Sequence, residues 1–288
     1  MTILVTGATG RVGRHLVDQL LIRGADFRVL SRDPAKAGFA DNVDVVRGDF
    51  LDIDSLRAAF SGIRTLFLLN AVAADEYTQT IITLNIAREC GVERVVYLSV
   101  FGADVAVNVP HFAVKYGAER MLKEMEFSAT ILRPTYFIDN EVMIKDVIMN
   151  HGVYPMPVGG IGLAMVDTRD IAEVAAIELM RRNQADEMLP VETINLVGPD
   201  TLTGEDAAAI WSEVVGRQII YGGDNPDAFE ASMAEFMPKW MAYEMRLMAE
   251  RYVSNGMLPR HGDRERLVNI LGRPLYSYRS FVTALAGA

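Results

Sequence analysis

The chain has 288 residues, half of them apolar, and a formal net charge of −10 at pH 7. This acidity argues against a nucleic-acid partner, because binding phosphates requires a basic face. The single cysteine, Cys90, excludes an internal disulfide and is typical of a reducing compartment, and the apolar runs are too short to span a bilayer. The composition therefore predicts a globular cytoplasmic protein without a membrane or nucleic-acid partner, and it does not distinguish a monomer from a homodimer.

The N-terminus carries the most informative motif. An apolar run at 3–6 ends at Gly7, and glycines recur at Gly10 and Gly13, where an amphipathic helix begins. In a dinucleotide-binding turn the first glycine permits the tight turn, the second admits the pyrophosphate, and the third lets helix and strand pack closely. The helix N-terminus adds N–H donors and a positive dipole end. The residues predicted to hold a dinucleotide here are Gly7, Thr9, Gly10, Arg11, Val12 and Gly13.

Short apolar strands alternate with helical segments through the first half of the chain. Strands are expected at 3–6, 27–30, 43–46, 65–69, 94–99 and 129–132, and helices at 13–23, 54–60, 77–90 and 111–124. Alternating β and α units form a parallel sheet with helices on both faces. We therefore expect an α/β protein with a doubly wound Rossmann sheet, whose ligands bind beyond the carboxyl ends of the strands.

The pattern changes after Pro134, where a loop-rich stretch rich in proline and glycine follows. A further strand is expected near 193–197, and the chain from residue 224 onward is mostly helical and rich in methionine. We predict a dinucleotide-binding Rossmann core at 1–134 and a smaller, mixed but mostly helical, substrate-side region at 135–288. The two are interleaved, because the strand near 193–197 is expected to return to the sheet.

Taken together, these motifs resemble the NmrA-like branch of the atypical short-chain dehydrogenase/reductase superfamily. The resemblance covers nearly the whole chain and, beyond the glycine turn, rests on Gly48-Asp49-Phe50, Leu132-Arg133-Pro134 with Phe137 and Asn140, and the segments 167–172 and 195–199. It implies a nicotinamide dinucleotide cofactor, with Asp49 and Phe50 in the turn that contacts the adenine. Asn70, at the end of the fourth strand, is expected to face the nicotinamide-side ribose or the pyrophosphate.

The end of the second strand bears on the choice of cofactor. NAD recognition usually places an acidic side chain there, on the ribose 2′-hydroxyl. Here the strand ends at Arg32, and Lys36 follows one turn later. The guanidinium of Arg32 can stack on adenine and pair with a 2′-phosphate. NADP(H) is therefore favoured over NAD(H); the alternative is that Arg32 and Lys36 are ordinary surface charges.

The resemblance also implies a catalytic tyrosine and lysine four residues apart on one helix face, with a serine at the preceding strand end. Ser99 and Lys115 occupy two of these positions, whereas His111 replaces the tyrosine. His111 is then the general acid, or hydride transfer needs no side-chain acid, or the protein binds nucleotide without turnover. His111 filling a structural polar position is a further alternative. Tyr136, after the sixth strand, is a second candidate at the nicotinamide.

The expected substrate pocket is apolar. Its candidate walls are Phe101, Phe137, Met143, Tyr154, Met156 and Trp240. Few charges fall among them, which argues against phosphorylated or sugar-nucleotide substrates. Five methionines at 233–248 follow helical spacing and are expected to fill core gaps, with an adaptable lid as the alternative. The four histidines lack ligand spacing, so no metal site is expected.

These observations predict an NAD(P)H-dependent reductase that transfers hydride to a hydrophobic aromatic, quinone-like or polycyclic ketone substrate, such as an intermediate of secondary metabolism. The alternative is a regulatory protein that senses NADP(H) and binds a protein partner without turnover. An apolar pocket beside the nicotinamide favours the enzyme, and an exposed apolar patch elsewhere favours the sensor.

Overall fold

A seven-stranded sheet organises the computed structural model, which describes residues 2–287. The strands of this part of the chain are β1 (Thr2–Val5), β2 (Phe27–Ser31), β3 (Asp44–Arg47), β4 (Ile63–Leu68), β5 (Arg94–Leu98), β6 (Ser128–Pro134), β7 (Val153–Tyr154), β8 (Glu192–Leu196) and β9 (Ile220–Tyr221). The sheet order is β3-β2-β1-β4-β5-β6-β8, and the pairings from β3 to β6 are parallel. β7 and β9 form a separate parallel pair. The Rossmann sheet predicted from the alternating pattern is confirmed.

The helices follow the strands in the expected order through the first half. They are α1 (Arg11–Ile22), α2 (Ile53–Phe60), α3 (Glu76–Glu89), α4 (Pro110–Glu124), α5 (Glu141–His151), α6 (Thr168–Gln184), α7 (Gly204–Val215), α8 (Pro226–Met233), α9 (Lys239–Asn255), α10 (Asp263–Leu271) and α11 (Tyr278–Ala286). Each predicted element up to residue 134 lies within two residues of its observed bounds, and the helical C-terminal segment is confirmed.

The fold divides into two compact units. Unit 1 comprises the described residues up to Ala103, together with His111–Arg133 and Thr168–Ile194. Unit 2 comprises Asp104–Pro110, Pro134–Asp167 and the described residues from Asn195 onward. Unit 1 thus contains α6, which follows residue 134 in the chain, and the predicted domain division at that residue stays a prediction.

The core of unit 1 lies on both faces of the sheet. One face presents Leu4, Leu66, Val95 and Ile131, one from each of four central strands, to helices α2, α3 and α4. On the other face, α6 contacts β4 and β5 and packs against α1. Strands covered on both faces need a nearly continuous apolar sequence, which is why β4 and β5 show no polar alternation. Within residues 2–287, every helix is too short or too polar to cross a membrane.

Candidate functional site

The glycine turn after β1 is packed so closely that Gly7 and Gly13 have no room for a side chain. Gly7 has a φ of 65°, and a Cβ added there would lie 2.8 Å from the side chain of Leu69. A Cβ added at Gly13 would lie 2.1 Å from the carbonyl oxygen of Gly7. Gly10 precedes α1 without a side-chain cap, so the first N–H groups of the helix are available to an anion. This cradle fits the pyrophosphate of a dinucleotide.

At the end of β2 lie Arg32 and Lys36, the two residues predicted to bind the 2′-phosphate. Lys36 is paired with Asp33, at 3.0 Å between Nζ and Oδ2, and both side chains are exposed. Arg32 is also exposed and directly follows the strand. Arg14 of α1 contacts the following loop, donating to the carbonyl of Ala37 at 3.3 Å. The loop that carries Arg32 is therefore joined to the helix that begins at the glycine turn.

The turn after β3 is ordered by local hydrogen bonds. The Asp49 N–H donates to Ser55 Oγ at 3.0 Å, and Asp49 Oδ1 accepts from the Leu51 N–H at 2.9 Å. A Cβ added at Gly48 would lie 2.5 Å from the side chain of Leu30, so a larger residue before this turn would require Leu30 to move. These contacts fix the backbone of Asp49 and Phe50, the residues predicted to contact the adenine.

Asn70, just after β4, carries an unusual buried amide. Its side chain is 3 % exposed, and neither its nitrogen nor its oxygen has a hydrogen-bond partner among residues 2–287. Thr6 holds this strand end, because its hydroxyl accepts from the Leu69 N–H at 2.8 Å. Buried polar atoms are nearly always hydrogen-bonded in folded proteins. An amide left without a partner beside the dinucleotide turn fits a residue whose partner is the bound cofactor.

His111 and Lys115 meet at one buried carboxylate that sequence analysis did not identify. Their four-residue spacing on α4 directs both side chains to Glu76, the first residue of α3. His111 Nδ1 lies 2.8 Å from Glu76 Oε2, and Lys115 Nζ lies 2.9 Å from Oε1. Glu76 and Lys115 are almost fully buried, at 2 % and 3 % side-chain exposure. The predicted helix face thus becomes a three-residue cluster, Glu76–His111–Lys115.

Close packing of α3 on α4 builds this cluster. A Cβ added at Gly117 would lie 2.8 Å from the ring of Tyr77, which neighbours Glu76. Burial raises the pKa of Glu76, but the charge of Lys115 and the contact with His111 outweigh it, and the net pKa is lowered. In the sequence, Glu76 is indistinguishable from an ordinary acidic residue in the first turn of a helix.

Ser99 belongs to a second buried cluster in unit 1. Its hydroxyl donates to Glu119 Oε1 at 2.5 Å. Arg133 donates to the same carboxylate through both Nε, at 2.8 Å, and Nη2, at 2.5 Å. The structure therefore brings Ser99 to Glu119 and Arg133, whereas His111 and Lys115 gather at Glu76. The catalytic role of Ser99 stays a prediction.

Tyr136 and the predicted pocket residues of unit 2 fall into three groups by their exposure. Tyr136, Tyr154 and Met156 are buried, whereas Met143 and Trp240 are 65 % and 41 % exposed. Phe137, like Phe101 of unit 1, is half-buried. Burial raises the pKa of Tyr136 well above its ordinary value. That these residues form one substrate pocket stays a prediction.

A buried carboxylate of unit 2, Glu141, was also missed. Tyr154 donates to its Oε1 at 3.0 Å, and Tyr278 donates to its Oε2 at 2.9 Å. The indole nitrogen of Trp211 lies 3.4 Å from Oε2 and 3.0 Å from the Tyr278 hydroxyl. Burial raises the pKa of Glu141 to about 7, because these neutral donors only partly offset it. No sequence signal pointed to this group, since it lies in α5, for which no element was predicted.

Within residues 2–287, no group of three His, Cys, Asp or Glu side chains could hold a metal ion. The methionine stripe is interrupted, because Pro238 precedes α9 and separates it from α8. Its members are all half-buried: Met233, Met237, Met241, Met245 and Met248.

Comparison with known families agrees with this architecture. The model of the NmrA-like family matches residues 1–258. The chain belongs to the NmrA-like family. An NAD(P)H azoreductase of Xenophilus azovorans is 28 % identical over 297 residues, which cover 99 % of this chain and 98 % of the relative.

Two solved structures share the fold over the whole chain. The NADPH complex of the quinone oxidoreductase QOR2 from Escherichia coli has a TM-score of 0.87 at 23 % identity, covering 99 % of both chains. The NADP(H) complex of triphenylmethane reductase from Citrobacter sp. has a TM-score of 0.84 at 23 % identity, covering 99 % of this chain and all of the other. At this identity the likeness is one of fold.

Proposed function

We propose that this protein is an NADPH-dependent reductase of hydrophobic aromatic, quinone-like or polycyclic ketone compounds. The observation that carries the proposal is the Glu76–His111–Lys115 cluster, which lies in the same unit as the dinucleotide turn. The name of the azoreductase relative, matched along its whole length, supports the same class of reaction.

The chain's own residues divide the work of holding the cofactor. The turn from Gly7 to Gly13 would hold the pyrophosphate, Arg32 the 2′-phosphate, and Asn70 the nicotinamide-side ribose or the pyrophosphate. An ammonium group has three N–H donors, so Lys115 can pair with Glu76 and still donate to ribose hydroxyls. NADPH, when bound, supplies the hydride.

His111 would hold the proton that the reduced substrate takes up. Its Nδ1 faces Glu76, so Nε2 is the atom that would deliver this proton to the substrate oxygen. Flat conjugated substrates suit such a site, because their reduced oxygens are stabilised as phenolates or enolates. For the same substrates, hydride transfer without a side-chain acid is the alternative. Unchanged turnover in a His111→Phe variant would refute the role of His111 and leave this alternative or another proton donor.

The test is oxidation of NADPH and NADH in the presence of quinones, azo dyes and polycyclic ketones, with calorimetric measurement of cofactor binding. Turnover with NADPH and any of these compounds is the expected result. Tight NADPH binding without turnover on the whole panel would overturn the proposal. It would favour the NADP(H)-sensing regulator instead, and capture of a protein partner would be the next experiment.

The preference for NADPH has a separate test in Arg32→Asp. Loss of a charge-assisted contact to the 2′-phosphate should weaken NADPH binding about 10- to 100-fold, while NADH binding changes little. Arg57→Asp makes the same change of charge on α2, where Arg57 pairs with exposed Glu89 at 3.0 Å, and should leave both affinities unchanged. Equal losses for both cofactors in Arg32→Asp would refute the assignment.

A further inference from the structure

We propose that Glu76 is a positioning residue which commits neutral His111 to the tautomer protonated at Nδ1 and anchors Lys115 beside it. The catalytic consequence rests on the proposed reductase function. The tautomer itself is a property of the resting protein and is tested without any substrate.

The geometry assigns one carboxylate oxygen to each partner. Oε2 lies 2.8 Å from His111 Nδ1, and Oε1 lies 2.9 Å from Lys115 Nζ. An ionised carboxylate only accepts hydrogen bonds, so the ring nitrogen that faces it must carry the proton. In neutral His111 that nitrogen is Nδ1, and Nε2 is the basic nitrogen.

This arrangement suits a histidine that gives up a proton at Nε2. The N–H bond at Nε2 breaks, an O–H bond forms on the substrate oxygen, and the imidazolium becomes a neutral imidazole. The product of that step is the tautomer with its remaining proton on Nδ1, which is the form that Glu76 accepts from. His111 therefore needs no ring flip or tautomer exchange after delivering its proton.

Lys115 keeps Glu76 from taking the Nδ1 proton of His111, because its charge lowers the pKa of the carboxylate. The buried ion pair holds Glu76 in its ionised form, which agrees with its lowered pKa. In return, Glu76 compensates a buried ammonium that would otherwise be strongly destabilising. A single carboxylate thus fixes the orientation of both α4 side chains, four residues apart on one helix face.

The direct test is nitrogen NMR of the full chain labelled with ¹⁵N-histidine, recorded at a pH where His111 is neutral. The chain has four histidines, and loss of one spin system in His111→Phe assigns the signal. The expected spectrum shows a protonated Nδ1 and an unprotonated Nε2 for His111. A His111 protonated at Nε2 in the parent protein would overturn the proposal, and this outcome requires no variant of Glu76 to fold.

Two substitutions then remove the charge and the contacts of Glu76 in turn. Glu76→Gln removes the charge that anchors Lys115, so KM for NADPH should rise about 10-fold. Its amide can present either its oxygen or its NH2 group to Nδ1, so the preference for the Nδ1 tautomer should weaken. Glu76→Met removes both contacts, so the tautomer preference should be lost entirely and kcat should fall a further 10- to about 100-fold. This loss is smaller than the full contribution of a positioned acid, because His111 itself remains. Glu76→Asp should recover part of both effects.

Glu178→Gln is the matched control. Glu178 is another buried carboxylate of unit 1 and contacts Thr130 at 2.7 Å and Arg181 at 2.6 Å. Its loss should lower stability without changing the His111 tautomer, KM or kcat. If Glu76→Met behaves like Glu178→Gln, Glu76 is only structural. If the parent shows the Nδ1 tautomer but no turnover, the reductase proposal fails and the positioning role of Glu76 stands.

Discussion

Three buried glutamates, two in unit 1 and one in unit 2, differ in the partners that hold them. In unit 1, Glu76 is paired with Lys115, and Glu119 with Arg133 through two hydrogen bonds. In unit 2, Glu141 is surrounded by tyrosine and tryptophan donors that carry no charge. Glu76 and Glu119 of unit 1 are therefore held by ion pairs, and Glu141 of unit 2 by hydrogen bonds from neutral donors.

The comparison shows that partners, rather than burial, decide the direction in which a pKa moves. Burial raises the pKa of both Glu76 and Glu141. A neighbouring cation reverses the shift for Glu76, whereas neutral donors leave the pKa of Glu141 at about 7. Unit 1 thus contains a buried carboxylate whose pKa is lowered by a cation, and unit 2 contains one whose pKa lies near neutrality.

Removing the cation that pairs with a buried carboxylate of unit 1 should cause the largest loss of stability. Arg133→Leu leaves Glu119 buried without its counterion, so we expect a loss of about 3–5 kcal/mol in the free energy of unfolding at pH 7. Urea denaturation measures it. The double variant Arg133→Leu/Glu119→Leu removes both charges and should recover most of that loss. A double variant as unstable as the single one would show that packing around Arg133, and not its charge, is what stabilises unit 1.

A smaller effect on stability is expected from the titration of Glu141. Its pKa rises from 4.5 to about 7 on folding, so between these pH values the folded protein binds more protons than the unfolded chain. The stabilisation is complete below pH 4.5 and is lost as pH rises through 7, by about 3 kcal/mol in total.

The measurement is urea denaturation from pH 4.5 to 8, comparing the parent with Glu141→Gln. Other groups titrate in both proteins, so the difference between the two curves isolates Glu141. That difference should change with pH by the stated amount and become flat above pH 8. A difference that is constant across the range would mean that Glu141 is ionised in the folded protein, as Glu76 is.

What the sequence could predict depends on how local the determining contacts are. The glycine turn and the alternation of strands and helices are local patterns, and their elements were predicted to within two residues. Glu76, Glu119 and Glu141 escaped prediction because their partners lie up to 137 residues away, as for Tyr278 and Glu141. Helix α5 escaped because β-branched residues such as Val142 and Ile144 weaken its helical signal.

The smallest effect on stability should come from breaking an exposed ion pair at the surface. Lys36 and Asp33 lie 3.0 Å apart, much like the buried pairs, but their side chains are 86 % and 49 % exposed. Water screens such a pair, so Lys36→Ala should change the free energy of unfolding by less than about 0.5 kcal/mol. Urea denaturation at low and high salt measures it, and salt should remove even this effect. A loss comparable to that of Arg133→Leu would mean that distance alone, and not desolvation, sets the energy of these pairs.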